Sequence, residues 1–305
     1  MHTPLVLCAM FVPSITVAQP GLRAPRLVIH ARGVLHRTTL IWSVGPSSAY
    51  KLSELSYRGL ATYQGAVGAS FRIGPGDRAH WLIVGEATLG SLAGGDVQDS
   101  DFGDGSETSR IESEVTGRGV WSASVGAGRR WFNGHGGLLD NVSVWLGLER
   151  EEQSIRMQHG RWVISAQPDT SSLAALDSRY RARWTGLWTA AESEVSVGHG
   201  DLVARLVARF RSGYSGEGTW NLRTDLAQPR SFAQDAEGWG YEGQVSYTRP
   251  LIRPIRVTLR GRYAQRHAAD GSDTTFFADG RTARLTLLKV SSRSVGLGLE
   301  LSAAF

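Results

Sequence analysis

The sequence predicts an all-β chain, closed on itself as an antiparallel up-and-down transmembrane β-barrel of ten strands. Three observations carry that prediction. Apolar and polar residues alternate one by one through ten stretches, the period of a strand with one apolar and one wet face. The connections between these stretches alternate in length, as in barrels with tight turns at one rim and long loops at the other. The wet face also carries charge: Arg205, Arg209, Glu242, Arg256, Arg260, Arg262 and Glu300. A soluble barrel fills its interior with apolar side chains, and ionised groups facing inward need partners or water. A charged face therefore belongs to a polar lumen behind an apolar belt. Lipid forbids open sheet edges, so the strands close.

Each strand can be read in order. The first two span about Leu27–Val44 and Leu52–Ile73, the second with Tyr57 and Tyr63. The third runs from Trp81 to Leu89. The fourth, Arg118–Trp131, sets Trp121, Ala123, Val125 and Ala127 against Ser122, Ser124 and Gly126. The fifth places Val142, Val144, Leu146 and Leu148 opposite Ser143, Gly147 and Glu149. The sixth covers about Ser178–Val197. In the seventh, Leu202, Ala204, Leu206, Ala208 and Phe210 alternate with Val203, Arg205, Val207, Arg209 and Arg211. The eighth sets Tyr241, Gly243, Val245 and Tyr247 against Glu242, Gln244 and Ser246. The ninth opposes Ile255, Val257, Leu259 and Tyr263 to Arg256, Thr258, Arg260 and Arg262. The tenth is the cleanest: Val295, Leu297, Leu299, Leu301, Ala303 and Phe305 alternate with Gly296, Gly298, Glu300 and Ser302.

That last strand ends the chain on an aromatic residue, which resembles the C-terminal signature of bacterial outer-membrane β-barrels. The connections agree. The short ones are Gly74–Asp77, Asn133–Asp140, Gly198–Asp201 and Thr248–Pro254. The long ones are Gly90–Gly117, Gln158–Asp177, Ser212–Gly238 and His267–Leu288, expected to be extracellular loops. At the other end of the chain, the apolar run Pro4–Val17 followed by Thr16-Val17-Ala18 predicts a signal peptide over residues 1–18. Residues 19–305 then form one barrel domain, addressed to the bacterial outer membrane.

Composition fits. Mean hydropathy is only −0.18, because every second residue of a barrel strand avoids lipid. Ten Trp and 37 Gly suit aromatic girdles and twisted strands. Cys8, the single cysteine, falls in the predicted signal peptide, leaving neither disulfide nor cysteine-based metal chemistry. The reading calls for no metal and no cofactor. The net charge of +5 comes mainly from Arg, lysine being confined to Lys51 and Lys289. Guanidinium groups bind phosphate in planar, bidentate fashion, so outer-membrane lipids and lipopolysaccharide are expected partners. No basic run with interleaved aromatics points to nucleic acid.

Within the first long connection the chain starts to resemble a family. Thr88-Leu89-Gly90-Ser91, Gly94-Gly95 and Val97-Gln98-Asp99-Ser100-Asp101-Phe102 are similar to the omptins, ten-stranded outer-membrane endopeptidases. Lys51–Tyr57, Tyr180–Trp184, Phe210–Tyr214 and the last two strands follow in the family's order. In omptins an acidic pair faces an Asp-x-His pair across the barrel mouth, with a water between them as nucleophile. The chemistry is sound: two close carboxylates can share a proton, and a His held by a carboxylate can deprotonate water. The resemblance places Asp99 and Asp101 at the first pair. Counting from the Ser-Gly-aromatic anchor, the second pair falls on Asn221 and Arg223. Asn does not ionise, and Arg stays protonated and cannot act as a base.

Ser212–Gly238 contains no His. His135 and His199 fall in short turns, His30 and His36 in the first strand, and His80 at the base of the third. Only His159 and His267 border long connections. Arg223 is expected to ion-pair with Asp99 and Asp101 and to depress their pKa values. The family's lipid A contacts imply a role for Arg183. A second family cluster falls on Leu148, Arg150 and Glu152, where the order of residue types is not kept.

Two function classes follow. One is an omptin-type endopeptidase, favoured by Asp99 and Asp101. The other is a non-catalytic barrel acting in adhesion or lipopolysaccharide binding, with a peptide or protein ligand at its extracellular loops. Asn221 and Arg223 favour the second. A ten-stranded barrel is too narrow for a general porin.

Overall fold

The computed structural model describes residues 26–47, 50–73, 79–132, 141–164 and 173–305. The predicted signal peptide with Cys8, the connections Gly74–Asp77 and Asn133–Asp140 with His135, and part of Gln158–Asp177 lie outside them.

Eleven strands follow one another: β1 (Leu27–Gly45), β2 (Ser53–Ile73), β3 (Ala79–Gly103), β4 (Ser106–Val115), β5 (Gly119–Phe132), β6 (Asn141–Ile164), β7 (Ser178–Val197), β8 (Gly200–Thr219), β9 (Phe232–Ile252), β10 (Ile255–Phe276) and β11 (Thr282–Ala304). Successive strands pair antiparallel, except that β4 and β5 each pair with β3 and β6 rather than with each other; β1 pairs with β11, so the ring is closed. Among the described residues no helix is long and apolar enough to cross a membrane. The crossing is made by strands.

The expected ten strands are ten staves, the fourth of them divided. β4 and β5 both lie between β3 and β6. The break is Thr116-Gly117-Arg118, where Gly117 takes φ 100, a conformation closed to side-chain-bearing residues. Backbone bonds from Thr116 N to Arg156 O (3.0 Å) and from Leu92 N to Arg118 O (2.7 Å) hold the break in the wall.

The second difference is larger. Much of what the sequence reading assigned to long loops is strand. β3 continues fourteen positions past Leu89 and returns as β4 through Asp104-Gly105, with φ of 49 and 78. Two successive positive φ values at Asp-Gly make the two-residue hairpin turn that suits strand twist. β6, β8, β9, β10 and β11 likewise run beyond the apolar belt. Their outward residues there are polar, so the alternation that marks the belt fades, while backbone pairing with neighbours continues.

On the outer wall an apolar band encircles the lower part. Leu35, Val67, Leu89, Leu146, Leu206, Val245, Leu259, Leu297 and Leu299 are all exposed. On β11 it runs from Val295 to Phe305, ten steps of about 3.3 Å tilted by some 40°, or about 25 Å of membrane. The chain's two barrel ends, β1's start and β11's end, share this rim. The tall upper part is extracellular.

Candidate functional site

The interior has two layers. At membrane level the inward side chains form ion-pair networks around a cavity of about 200 Å³. Arg209 donates to Glu149 and Glu242, both at 2.7 Å, and Arg262 reaches Glu242 at 2.8 Å. Arg266 bridges Glu149 (3.1 Å) and Glu151 (2.9 Å). A second group joins Arg32 to Glu86 (2.6 Å) and Arg260 to Glu300 (2.9 Å), with His30 on Glu86 at 3.1 Å. Burying these charges is tolerated because each carboxylate is met by guanidinium N–H groups. Trp145 and Trp188 flank Arg205 at 5.8 and 5.4 Å. The wall opposite Trp188 is glycine for a steric reason: a Cβ at Gly126 or Gly147 would sit 2.6 or 2.4 Å from the indole.

Above this layer the lumen is filled. Leu40, Trp42, Leu55, Tyr57, Leu60, Ile155, Tyr180, Trp184, Tyr214, Phe232 and Leu287 form one buried apolar core. Tyr180 stacks with Tyr57 at 5.6 Å between ring centroids, and Trp42 meets Tyr180 at 5.9 Å and Phe232 at 5.5 Å. Arg266 lies 5.7 Å from the Trp184 ring and joins the two layers. One polar chain crosses the core. The Tyr180 and Tyr214 hydroxyls meet each other and Gln234 Oε1, the latter at 2.9 and 3.2 Å, with two protons shared among the three contacts, and Gln234 Nε2 donates to Asp273 Oδ2 at 3.0 Å. Burial pushes the Asp273 carboxyl up to about 6, against the hydrogen bonds from Gln234 and Thr275. Treating His267–Leu288 as a loop concealed this residue, since its inward position is visible only in the β10 register.

The candidate site lies at the edge of this core. β3 places Asp99 opposite Leu55 of β2 and Ile111 of β4, and Asp101 opposite Ser53 and Ser109. Cross-strand partners share a face, so both carboxylates point inward with Leu55 and Tyr57. Ser109 Oγ donates to Asp101 Oδ2 at 3.0 Å. Burial, and next the Asp101 charge, push the Asp99 carboxyl up to about 7, although Arg223 acts in the other direction. For Asp99 this reverses the direction expected from Arg223: desolvation and like-charge repulsion outweigh that cation.

Arg223 is within electrostatic reach of Asp99 and Asp101, so these three side chains share one mouth. Its guanidinium is nevertheless committed to Asp225, at 2.8 and 2.7 Å. Asn221 is committed too. Its Oδ1 accepts from Asp177 N (2.8 Å) and Ser178 Oγ (3.1 Å), and its Nδ2 donates to Ala175 O (2.6 Å). Asn221 thereby fastens the segment after β8 to the start of β7.

No described histidine contacts either carboxylate. His159 pairs with Glu114 at 3.2 Å on the exposed hairpin, and His267 sits on the outer wall against Trp239 at 5.0 Å. His30 and His36 face the membrane-level lumen. Arg183 is on the outer wall of β7, where its Nε and Nη2 both donate to Glu152 Oε2, at 3.0 and 2.9 Å. Arg181 competes for the same carboxylate at 3.4 Å and pairs with Glu217 at 2.7 Å.

No curated protein matches the sequence. Among solved structures, the fold is similar to the outer membrane protease OmpT from Escherichia coli, with a TM-score of 0.69 over 92% of this chain and 97% of that one, at 12% identity. The translocator domain of the autotransporter NalP from Neisseria meningitidis gives 0.38 over 93% and 90%, at 15% identity. A FadL homologue from Pseudomonas aeruginosa gives 0.29 over 92% and 90%, at 8% identity. The likeness to OmpT is one of architecture. The model of one family, the Protochlamydia outer membrane proteins, matches residues 30–305. The closed strand ring, the apolar belt and that match agree: the chain is a bacterial outer-membrane β-barrel and belongs to the Protochlamydia outer membrane protein family.

Proposed function

We propose that this chain is an omptin-like barrel that has kept one carboxylate pair of the endopeptidase site and works without hydrolysis. On this reading it presents its rigid extracellular rim to a peptide or protein ligand, as an adhesin or receptor does. One observation carries the reading. The positions that would face Asp99 and Asp101 hold Asn221 and Arg223, and both side chains are occupied by bonds that build the rim. Neither can take a proton from water. The packed aromatic core supports the same view, because it leaves the rim a firm surface and blocks the lumen as a route for solutes.

A second reading is favoured by Asp99 itself. A carboxyl titrating at about 7 is in the range of a working general base, so a residual hydrolysis through Asp99 is the competing proposal. Lipopolysaccharide contact at Arg183 remains part of the proposed partnership, with Glu152 as the competitor that phosphate must displace.

Both readings meet in one assay: protein refolded with lipopolysaccharide, incubated with a peptide library, beside the variant carrying Asp99→Asn and Asp101→Asn. The expected result is no cleavage above the variant's background. Cleavage by the natural sequence that the variant loses overturns the non-hydrolytic reading.

A further inference from the structure

The outer wall of β1, β10 and β11 holds a cluster that neither the lumen nor the mouth uses. On all three strands the outward face changes from apolar to polar at one level. Arg37, Val295 and Tyr263 lie in one cross-strand row, and Thr39, Arg293, Gln265 and Tyr241 in the next. Arg37 and Arg293 are thus diagonal neighbours on one face, with Cα atoms about 7 Å apart, within reach of a single group for two long side chains. Lys289 follows two outward positions above Arg293. All three cations are exposed, and none has a carboxylate partner among the described residues. Arg181 and Arg183, on the opposite side of the ring, each face a glutamate.

The ground beneath these cations is organised. The Arg293 guanidinium lies 5.4 Å from the Tyr263 ring. The Tyr241 and Tyr263 hydroxyls both donate to Gln265 Oε1, at 2.7 and 3.0 Å, and Gln265 Nε2 donates to His267 Nε2 at 2.6 Å. Immediately below begins the lipid-facing run Val295, Leu297, Leu299.

We propose that this wall is a binding site for a phosphorylated glycolipid of the outer leaflet. Arg37, Arg293 and Lys289 hold the phosphates, and Tyr263, Tyr241 and Gln265 receive the sugar. Charge complementarity selects the headgroup: adjacent like charges repel without a counter-ion, and guanidinium forks fit phosphate. Position selects the lipid, because acyl chains hanging from a phosphate at this row lie along the apolar belt. The site is independent of Arg183 and rests only on the barrel spanning the outer membrane.

Native mass spectrometry of the refolded mature chain in detergent tests it, with diphosphoryl lipid A as probe. Changing Arg37, Lys289 and Arg293 together to Gln is expected to weaken binding by about tenfold or more, as loss of charge-assisted bonds implies. Enzymatic removal of both phosphates from the probe has the same expected effect. Arg249→Gln with Arg253→Gln, at the opposite rim, leaves binding within about twofold. Undiminished binding by the triple variant overturns the proposal, as does equal binding of the dephosphorylated probe. Equal retention of anionic glycerophospholipid vesicles overturns the glycolipid assignment. Heat-modified electrophoretic mobility reports folding. If the triple variant does not fold, Arg293→Gln alone decides, with about a threefold loss expected.

Discussion

The lower and upper halves of this barrel use the same strands with opposite chemistry. On β1 the even-numbered residues point inward throughout: Arg32 and His36 at membrane level, then Leu40, Trp42 and Val44 above it. On β9 the inward series is Glu242, Gln244 and Ser246 below and Phe232, Gln234 and Ala236 above. The pleat does not change; the surroundings do. Where lipid lies outside, apolar side chains face out and charges pair within. Where water lies outside, the protein inverts, and aromatic burial drives the packing as in a soluble core. An outer-membrane barrel of this height is one sheet folded for two solvents.

The comparison can be broken most forcefully at the two interiors. Trp42→Ala is expected to cost about 3–5 kcal/mol by leaving a large cavity in the upper core. Arg209→Met is expected to cost about 3 kcal/mol by leaving Glu149 with Arg266 alone and Glu242 with Arg262 alone. Urea unfolding of the refolded protein, with limited proteolysis of the extracellular half as a second probe, separates them. Trp42→Ala opens the upper half to protease first, whereas Arg209→Met shifts the global midpoint. If Arg209→Met leaves the midpoint in place, the ion-pair layer does not hold the membrane half.

A weaker contrast comes from the outer faces. Leu299→Arg, at the middle of the lipid belt, is expected to destabilise by about 2–4 kcal/mol. Thr282→Arg, exposed on the same strand above the membrane, should fall within about 0.5 kcal/mol. Equal effects on unfolding in vesicles would place the membrane boundary elsewhere.

The gentlest test is pH. Asp99 is raised from its ordinary 3.8 to about 7, so between those values the folded state binds more protons than the unfolded chain. Its contribution is therefore full below pH 4 and is lost as pH rises through 7, at no more than about 1.4 kcal/mol per pH unit. Hydrogen exchange of the β3–β4 hairpin should accelerate over that window, and Asp99→Asn should flatten the profile. A hairpin that gains protection from pH 4 to 7 contradicts the buried carboxyl.

Much of this was legible in residues. The belt strands announced themselves because lipid rewards strict alternation, and β11 was readable to its last residue. The upper strands were not, because water on the outside tolerates Gly, Ser and Asp there and weakens the period. Asp104-Gly105 was the missed signal, a hairpin turn inside what looked like a loop. Asp99 and Arg223 lie within electrostatic reach of each other, but sequence spacing contains no measure of burial, so the upward direction of the Asp99 carboxyl was not legible in it.

The sequence by itself determined the closed transmembrane barrel and its outer-membrane address. Those properties follow from side-chain type and a period of two, which are local. Only the tertiary structure decided that the lumen is charged below and aromatic above, that Arg223 belongs to Asp225, that Asp99 is held near neutrality, and that Arg37, Lys289 and Arg293 share one wall. These depend on which strands are neighbours and in what register, and register is set by the closure of the whole ring.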